Sequence, residues 1–378
     1  MRPSKSLLKT LFTPPVSHIL PHQGLLYSLG LSYASKDSPP FIHPQAQPKK
    51  AGFAGQNNKI GRWVDEMLSL RAGRGELEVG EGGWSEGNGE ESKKWGAGED
   101  FFTIVEGSGN THLAVADGVG GWAPQYDPSL FSQSLLYHYT LSSRSSPSSS
   151  PLSHLTSAYQ AVLSDPLVQA GSSTAVTISL SPTGSLSGLN LGDSGCTILR
   201  SSKTLYTTIP QTHAFNTPYQ LSKFPPKPKL SSSERSSIIE QLRALKKGEM
   251  ISPELEEKAQ GLMPDPISTK PNEGDEFKLD LQPGDTVLIY TDGMSDNLPF
   301  EHLPLLEQVV ERVLDQPVNA HLTPGERASE KARILADVLV GYARGGMMRT
   351  GLEEGWKTPF ELEAKKYGKR FLGGKVDE

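Results

Sequence analysis

Three aspartates in this chain stand where an apolar run gives way to glycine. His112-Leu-Ala-Val-Ala ends in Asp117-Gly118, Thr286-Val-Leu-Ile-Tyr-Thr ends in Asp292-Gly293, and Leu189-Asn-Leu-Gly ends in Asp193-Ser194-Gly195. An Asp-Gly pair alone marks no more than a turn. The run before each pair adds the information: a buried strand fixes where the acid stands, and glycine lets the backbone turn sharply past it. Strand ends that converge would crowd their carboxylates, and each carboxylate raises the proton affinity of the next. A hard divalent cation relieves that repulsion, and Mg²⁺ or Mn²⁺ suits carboxylate and water ligands. Two such ions about 3.5–4 Å apart can activate a shared water and clamp phosphate oxygens, which predicts hydrolysis without a covalent enzyme intermediate. The competing reading is that these acids are turn formers in an inert sandwich.

The elements that must position the acids can be read from periodicity. Tyr27 to Ala34 reads as a first strand, followed by Pro-rich coil to Pro48. Phe101 to Val105 and His112 to Ala116 flank the turn Gly107-Ser108-Gly109-Asn110 and read as a strand pair. Thr174 to Leu180, Leu186 to Leu191, Cys196 to Arg200 and Thr286 to Tyr290 read as further strands. Leu130 to Leu141 reads as a helix. Leu305, Leu306, Val309, Val310, Val313 and Leu314 recur at helical spacing, as do Ala328, Ala332, Leu335, Val338, Leu339 and Tyr342. Polar insertions are expected near 72–98, 142–151 and 225–265; the first is dominated by Gly and Glu. Strands in hairpin-like succession with helices grouped between them predict an α+β fold, an antiparallel β-sandwich flanked by helices on both outer faces (αββα).

The bulk composition narrows the function classes. The chain has 378 residues, 35% of them apolar, with 38 Gly and 29 Pro, which predicts a core interrupted by long polar loops. A net charge of -6 argues against a nucleic-acid partner. The single cysteine, Cys196, excludes an internal disulfide framework and a multi-Cys zinc site. No apolar run approaches the roughly 20 residues that cross a bilayer, so no integral membrane span is expected. The first residues carry Arg2, Lys5 and Lys9 among Ser, Thr and Leu, and no acid precedes Asp37. That composition predicts an organelle-targeting segment over residues 1–26.

Taken together, the motifs resemble the type 2C family of metal-dependent protein phosphatases. Gly98-Glu99-Asp100-Phe101-Phe102 and Val115-Ala116-Asp117-Gly118-Val119-Gly120-Gly121-Trp122 come first. Gly171-Ser-Ser-Thr-Ala175, Asn190-Leu-Gly-Asp-Ser-Gly195 and Tyr290-Thr-Asp-Gly-Met-Ser-Asp-Asn297 follow in the family's order. Gln211-Thr-His-Ala-Phe-Asn-Thr-Pro-Tyr-Gln-Leu221 and Gly373-Gly374-Lys375-Val376-Asp377 are similar to its mitochondrial branch. The resemblance spans residues 27–378 and implies a phosphoserine/phosphothreonine phosphatase with two divalent ions, Mg²⁺ or Mn²⁺, and a third, weaker site. It implies phosphorylated mitochondrial proteins as substrates, a matrix location and a monomer. Asp117 matches the carboxylate that bridges both metals, and Gly118 the residue that offers one of them a carbonyl. Asp292 and Asp377 match ligands of the other metal, Glu99 and Asp100 acids that hold water beside the metals, and Asp193 and Asp296 acids of the weaker site.

The chain departs from the family pattern at three places. Val119 stands where many members carry a His that protonates the leaving group. Trp95 stands where many carry a phosphate-binding Arg, leaving Lys93, Lys94 or Arg62 as candidate substitutes. The final strand that follows the last Asp in the family is expected to be absent, with Asp377 on a frayed end. These departures motivate the alternative of a catalytically impaired pseudophosphatase acting as a regulatory binding module. A cysteine phosphatase needs an Arg six positions after its nucleophile, and Ser202 stands there, so Cys196 reads as a core residue. Gly118-Val-Gly-Gly121 lacks the Lys-Ser/Thr of an NTPase loop, and no Gly-rich strand-to-helix turn supports a dinucleotide-binding oxidoreductase. His112 and His213 have no second His at metal spacing and read as structural. The acidic residues from Glu86 to Glu91 read as a solvated loop.

Overall fold

The computed structural model describes residues 24–43, 45–70, 94–106, 109–226, 230–244, 252–260, 262 and 268–378. Most of the expected targeting segment and of the 72–98 insertion, and parts of the turn after Val105 and of the 225–265 insertion, lie outside the described residues. Among the described residues twelve strands are present: β1 (Phe101–Glu106), β2 (Thr111–Ala116), β3 (Gly171–Ser173), β4 (Ala175–Leu180), β5 (Ser185–Leu191), β6 (Gly195–Arg200), β7 (Lys203–Thr207), β8 (Thr212–Ala214), β9 (Thr217–Pro218), β10 (Leu221–Lys223), β11 (Asp275–Asp280) and β12 (Thr286–Tyr290). A five-stranded sheet has the order β1-β2-β4-β5-β11 and a three-stranded sheet the order β12-β6-β7. β10 pairs with β3 and β8 with β9 in small ribbons.

The two larger sheets face one another. Val176, Ile178, Leu180 and Leu186 from the first pack with Cys196 and Ile198 from the second in one buried cluster. β4 is buried at every position, as expected of a strand covered on both faces. Helices Ser129–Ser145 and Pro151–Ser164 cover the outer face of the five-stranded sheet. There Phe131, Leu135, Tyr139 and Leu155 pack with Phe101, Ala114, Ala116 and Leu189. Helices Leu303–Leu314 and Pro324–Met347 cover the other sheet through Val310, Leu314, Leu335 and Leu339 against Leu199 and Leu288. Each fully buried Leu in these layers contributes about 1.5–3 kcal/mol relative to exposure. The expected αββα sandwich is therefore present. No helix among the described residues is long and apolar enough to cross a membrane.

Several local expectations are corrected. Tyr27 to Ala34 joins no ladder and runs as coil. It is tied by Tyr27 Oη donating to Ser181 O at 2.6 Å, and Gly30 lies so close to the Pro324–Met347 helix that a Cβ there would sit 2.0 Å from Ala332 O. The expected 142–151 insertion is half helical, because Ser129–Ser145 and Pro151–Ser164 each extend into it and leave only 146–150 between them. Ser150 caps the second helix by accepting from Ser153 N. Leu305 and Val309 are 55% and 50% exposed, because the apolar stripe is wider than the surface it meets. β12 is hydrogen-bonded to β6, and a cavity of about 410 Å³ lies against β12, β1, β2, residues 25–34 and the Pro324–Met347 helix.

Candidate active site

Strand register brings the acids together. Phe101 pairs with Ala116, which sets Asp100 and Asp117 side by side just beyond the ends of β1 and β2. Val115 pairs with Val176, so continuing that register sets Asp117 against Thr174. Thr174 N donates to Asp117 O at 3.0 Å, and Asp117 N donates to Thr174 Oγ1 at 3.3 Å. Tyr290 pairs with Gly195 across the second sheet, which brings the Asp292 turn beside Asp193. Carboxylate oxygens of Asp117, Asp193 and Asp292 all lie within 4.8 Å of one another. Three strand ends that are distant in sequence thus converge at one end of the sandwich.

The glycines permit this approach. A Cβ on Gly118 would stand 2.5 Å from Glu99 O, so only Gly allows the segment carrying Asp117 to lie against the one carrying Glu99. Gly192 has φ +103°, a left-handed conformation that lets the chain turn from β5 toward Asp193. Asp292 starts a short helical turn, and its carbonyl accepts from Asp296 N at 2.7 Å, placing both acids on the same turn.

The electrostatics are those of crowded anions. Burial, reinforced by neighbouring aspartates, raises the carboxyl pKa of Asp100 and Asp117 well above the usual range. The same causes push Asp193 up to about 7, and burial likewise raises Asp292 and raises Asp296 well above the usual range. Asp377 goes the other way: burial opposes its charge, but the Lys375 ammonium outweighs burial and holds it below the usual range. Asp100 Oδ1 and Asp193 Oδ1 are buried without a hydrogen-bond partner. Buried acceptors without donors are costly in a finished site. Hard oxygen donors at this spacing, with acceptors left over, fit a divalent cation and the water it carries.

The remaining expected residues lie around this cluster. Glu99 pairs with Lys36 at 2.5 Å, and its backbone oxygen accepts from Ser132 Oγ at 2.6 Å. Asp296 and Asp377 meet Lys375 Nζ at 2.9 and 3.0 Å. Asp377 is not frayed: Lys375, two residues before it, exchanges backbone bonds with the buried Asn297 side chain at 3.0 and 2.8 Å. Neither candidate substitute among the described residues makes its observed contact with the acids. Arg62 donates to Asn57 Oδ1 at 3.4 Å, and Lys94 lies over the Trp95 ring. Sequence reasoning missed the two lysines that do reach the acids, Lys36 and Lys375. Lys375 lay inside the quoted Gly373–Asp377 motif and was findable by its position two residues before an expected ligand; nothing local marks Lys36.

Comparison with known proteins decides the family. No family model matches the chain. The 5-azacytidine resistance protein azr1 of Schizosaccharomyces pombe is 32% identical over 288 residues, 75% of this chain and 79% of that protein. Protein phosphatase PTC7 homolog fig of Drosophila grimshawi is 30% identical over 286 residues, 74% of this chain and 76% of its own. The chain belongs to the type 2C family of protein phosphatases, in its PTC7 branch. Protein phosphatase 2C homolog 7, mitochondrial, of Saccharomyces cerevisiae is 27% identical over 293 residues, 74% of this chain and 72% of that one. The X-ray structure of the photosystem II phosphatase PBCP shares the fold at a TM-score of 0.50 and 22% identity, over 74% of this chain and 88% of that one. As a type 2C phosphatase the chain is a metal-dependent protein serine/threonine phosphatase, and the pseudophosphatase alternative is not favoured.

Proposed function

We propose that this phosphatase hydrolyses phosphoserine and phosphothreonine at the cluster of Asp117, Asp193 and Asp292, with two divalent cations, Mg²⁺ or Mn²⁺. The observation that carries the reading is the convergence of these three carboxylates within 4.8 Å from three separate strand ends. Divalent ions bound there supply a Lewis acid that makes water a nucleophile at neutral pH and offsets phosphoryl charge. Asp117, Gly118, Asp292 and Asp377 would hold the two ions. Asp193 and Asp296 serve a third, weaker ion. Asp100, whose buried Oδ1 has no partner, would hold water beside the ions. Glu99, held by Lys36, accepts from water at the rim. Val119 carries no transferable proton, so the leaving alkoxide takes its proton from solvent.

This reading excludes a phosphorylated enzyme intermediate. Turnover of a ³²P-labelled phosphoserine peptide, quenched in acid, is expected to leave the protein unlabelled at every time point. A burst of acid-stable label on the chain would refute direct attack by water.

We also propose a mitochondrial, matrix location with phosphorylated mitochondrial proteins as substrates. The yeast relative bears the mitochondrial name, and the first 36 residues here hold Arg2, Lys5 and Lys9 and no acid. A fluorescent reporter fused behind residues 1–26 is expected to enter mitochondria and be recovered shortened. Diffuse cytosolic signal from full-length reporter would sink the idea.

A further inference from the structure

Lys375 places an ammonium inside the acid cluster. Its Nζ lies 2.5 Å from Asp292 Oδ2, 2.9 Å from Asp296 Oδ2 and 3.0 Å from Asp377 Oδ2. The contact is built from the main chain outward. Lys375 N donates to Asn297 Oδ1 at 3.0 Å, and Asn297 Nδ2 donates to Lys375 O at 2.8 Å. Asn297 is fully buried, in the same segment as Asp292 and Asp296. Gly374 N donates to Arg349 O at 2.9 Å, and a Cβ on Gly374 would stand 2.2 Å from Gly346 O. The backbone before Lys375 therefore lies directly against the end of the Pro324–Met347 helix. Nζ also stands 5.2 Å from the centre of the Phe360 ring, which flanks the lysine stem. An exposed lysine would wander; this one is aimed.

We propose that Lys375 is a resident cation of the metal site: it holds Asp292, Asp296 and Asp377 together in the metal-free chain, and an arriving divalent ion must displace it. The proposal rests on Asp292 and Asp377 being metal ligands. A divalent ion held by these same carboxylates would stand close to the ammonium, and the like charges repel, so metal and lysine head compete for the site. The lysine stem is flexible enough to swing its head away while the main chain stays pinned. Lys375 thus offsets the charge of the crowded acids and raises the metal concentration that the site needs. Lys36, the other lysine near the acids, pairs with Glu99 and Glu378 instead.

The test is calorimetric titration of the full chain with Mg²⁺ and Mn²⁺, which reads binding without reference to turnover. Lys375→Met keeps the stem and removes the charge, and Lys375→Gln keeps a polar head. Both are expected to bind the ions at least about tenfold more tightly, because a unit charge close to the ligand oxygens is removed. Their metal-free melting temperatures are expected to fall and to recover at saturating metal; Lys375→Arg should stay close to the native chain. Should the neutral variants fail to fold, amine-selective acylation of the native chain decides the matter. Mg²⁺ is expected to speed labelling of Lys375 several-fold as its head is released. Unchanged or weaker affinity in both folded variants, or labelling of Lys375 indifferent to Mg²⁺, would overturn the proposal. Absence of any divalent binding by the native chain would overturn the reading of the acid cluster, and this proposal with it.

Discussion

Asp117→Asn and Asp292→Asn are each expected to lower turnover of a phosphoserine peptide at least about 10²-fold, with the fold retained. The substitution keeps size and removes one negative charge, which a divalent ion needs and crowded neighbours do not. Asp117 and Asp292 oxygens both lie within 4.8 Å of Asp193, so neither acid has a distant substitute. The loss should appear in kcat with little change in KM, because the groups act on the reacting water and phosphoryl charge rather than on the peptide. For Asp117→Asn the metal-free melting temperature should hold or rise, since burial and neighbouring aspartates already disfavour its charged form. Near-native turnover by Asp117→Asn would remove the basis for a two-metal site. A cooperative melt at markedly lower temperature would instead mark Asp117 as structural.

Removing divalent metal is expected to lower hydrolysis on the order of 10³-fold or more, reversibly, whereas thiol alkylation should leave it unchanged. The contrast follows from where the nucleophile comes from. Cys196 is fully buried between the sheets, and burial pushes its thiol up to about 12, so thiolate is scarce at neutral pH. Arg200, the nearest cation in sequence, is engaged by Asp285 through contacts of 2.8 and 2.7 Å and does not activate the thiol. Stepwise addition of Mg²⁺ or Mn²⁺ to the chelated chain should restore activity, with alkylated and untreated protein recovering alike. Full activity in excess chelator would contradict the mechanism, as would inactivation that tracks modification of Cys196.

Much of the architecture was legible because it is local. β2, β4, β5, β6 and β12 each fall within a residue or two of their expected limits, since alternating or continuous apolar runs between turn residues have few other solutions. The helix Pro324–Met347 was visible in its apolar spacing, and Thr323 with Glu326 closes its start in a reciprocal cap. Tyr27–Ala34 misled for the same reason: its composition suits a strand, but a strand needs a partner's hydrogen bonds, and this segment found contacts with Ser181 and Ala332 instead.

What the sequence offered alone was three strand-end aspartates, Asp117, Asp193 and Asp292; Glu99, Asp100, Asp296 and Asp377 were candidates only through the family resemblance. It also argued against a cysteine nucleophile, because Ser202 stands where a cysteine phosphatase needs an Arg. Only the tertiary structure decided which acids meet and what neutralises them. Asp193 stands within reach of both Asp117 and Asp292. Lys375 and Lys36 supply cations to these acids. The reason is physical: a strand end can be read from its own residues, but the register between strands and the reach of a lysine across 83 positions of sequence to Asp292 are set by packing. Long side chains reach wherever burial leaves charge uncompensated, and no local pattern records where that is.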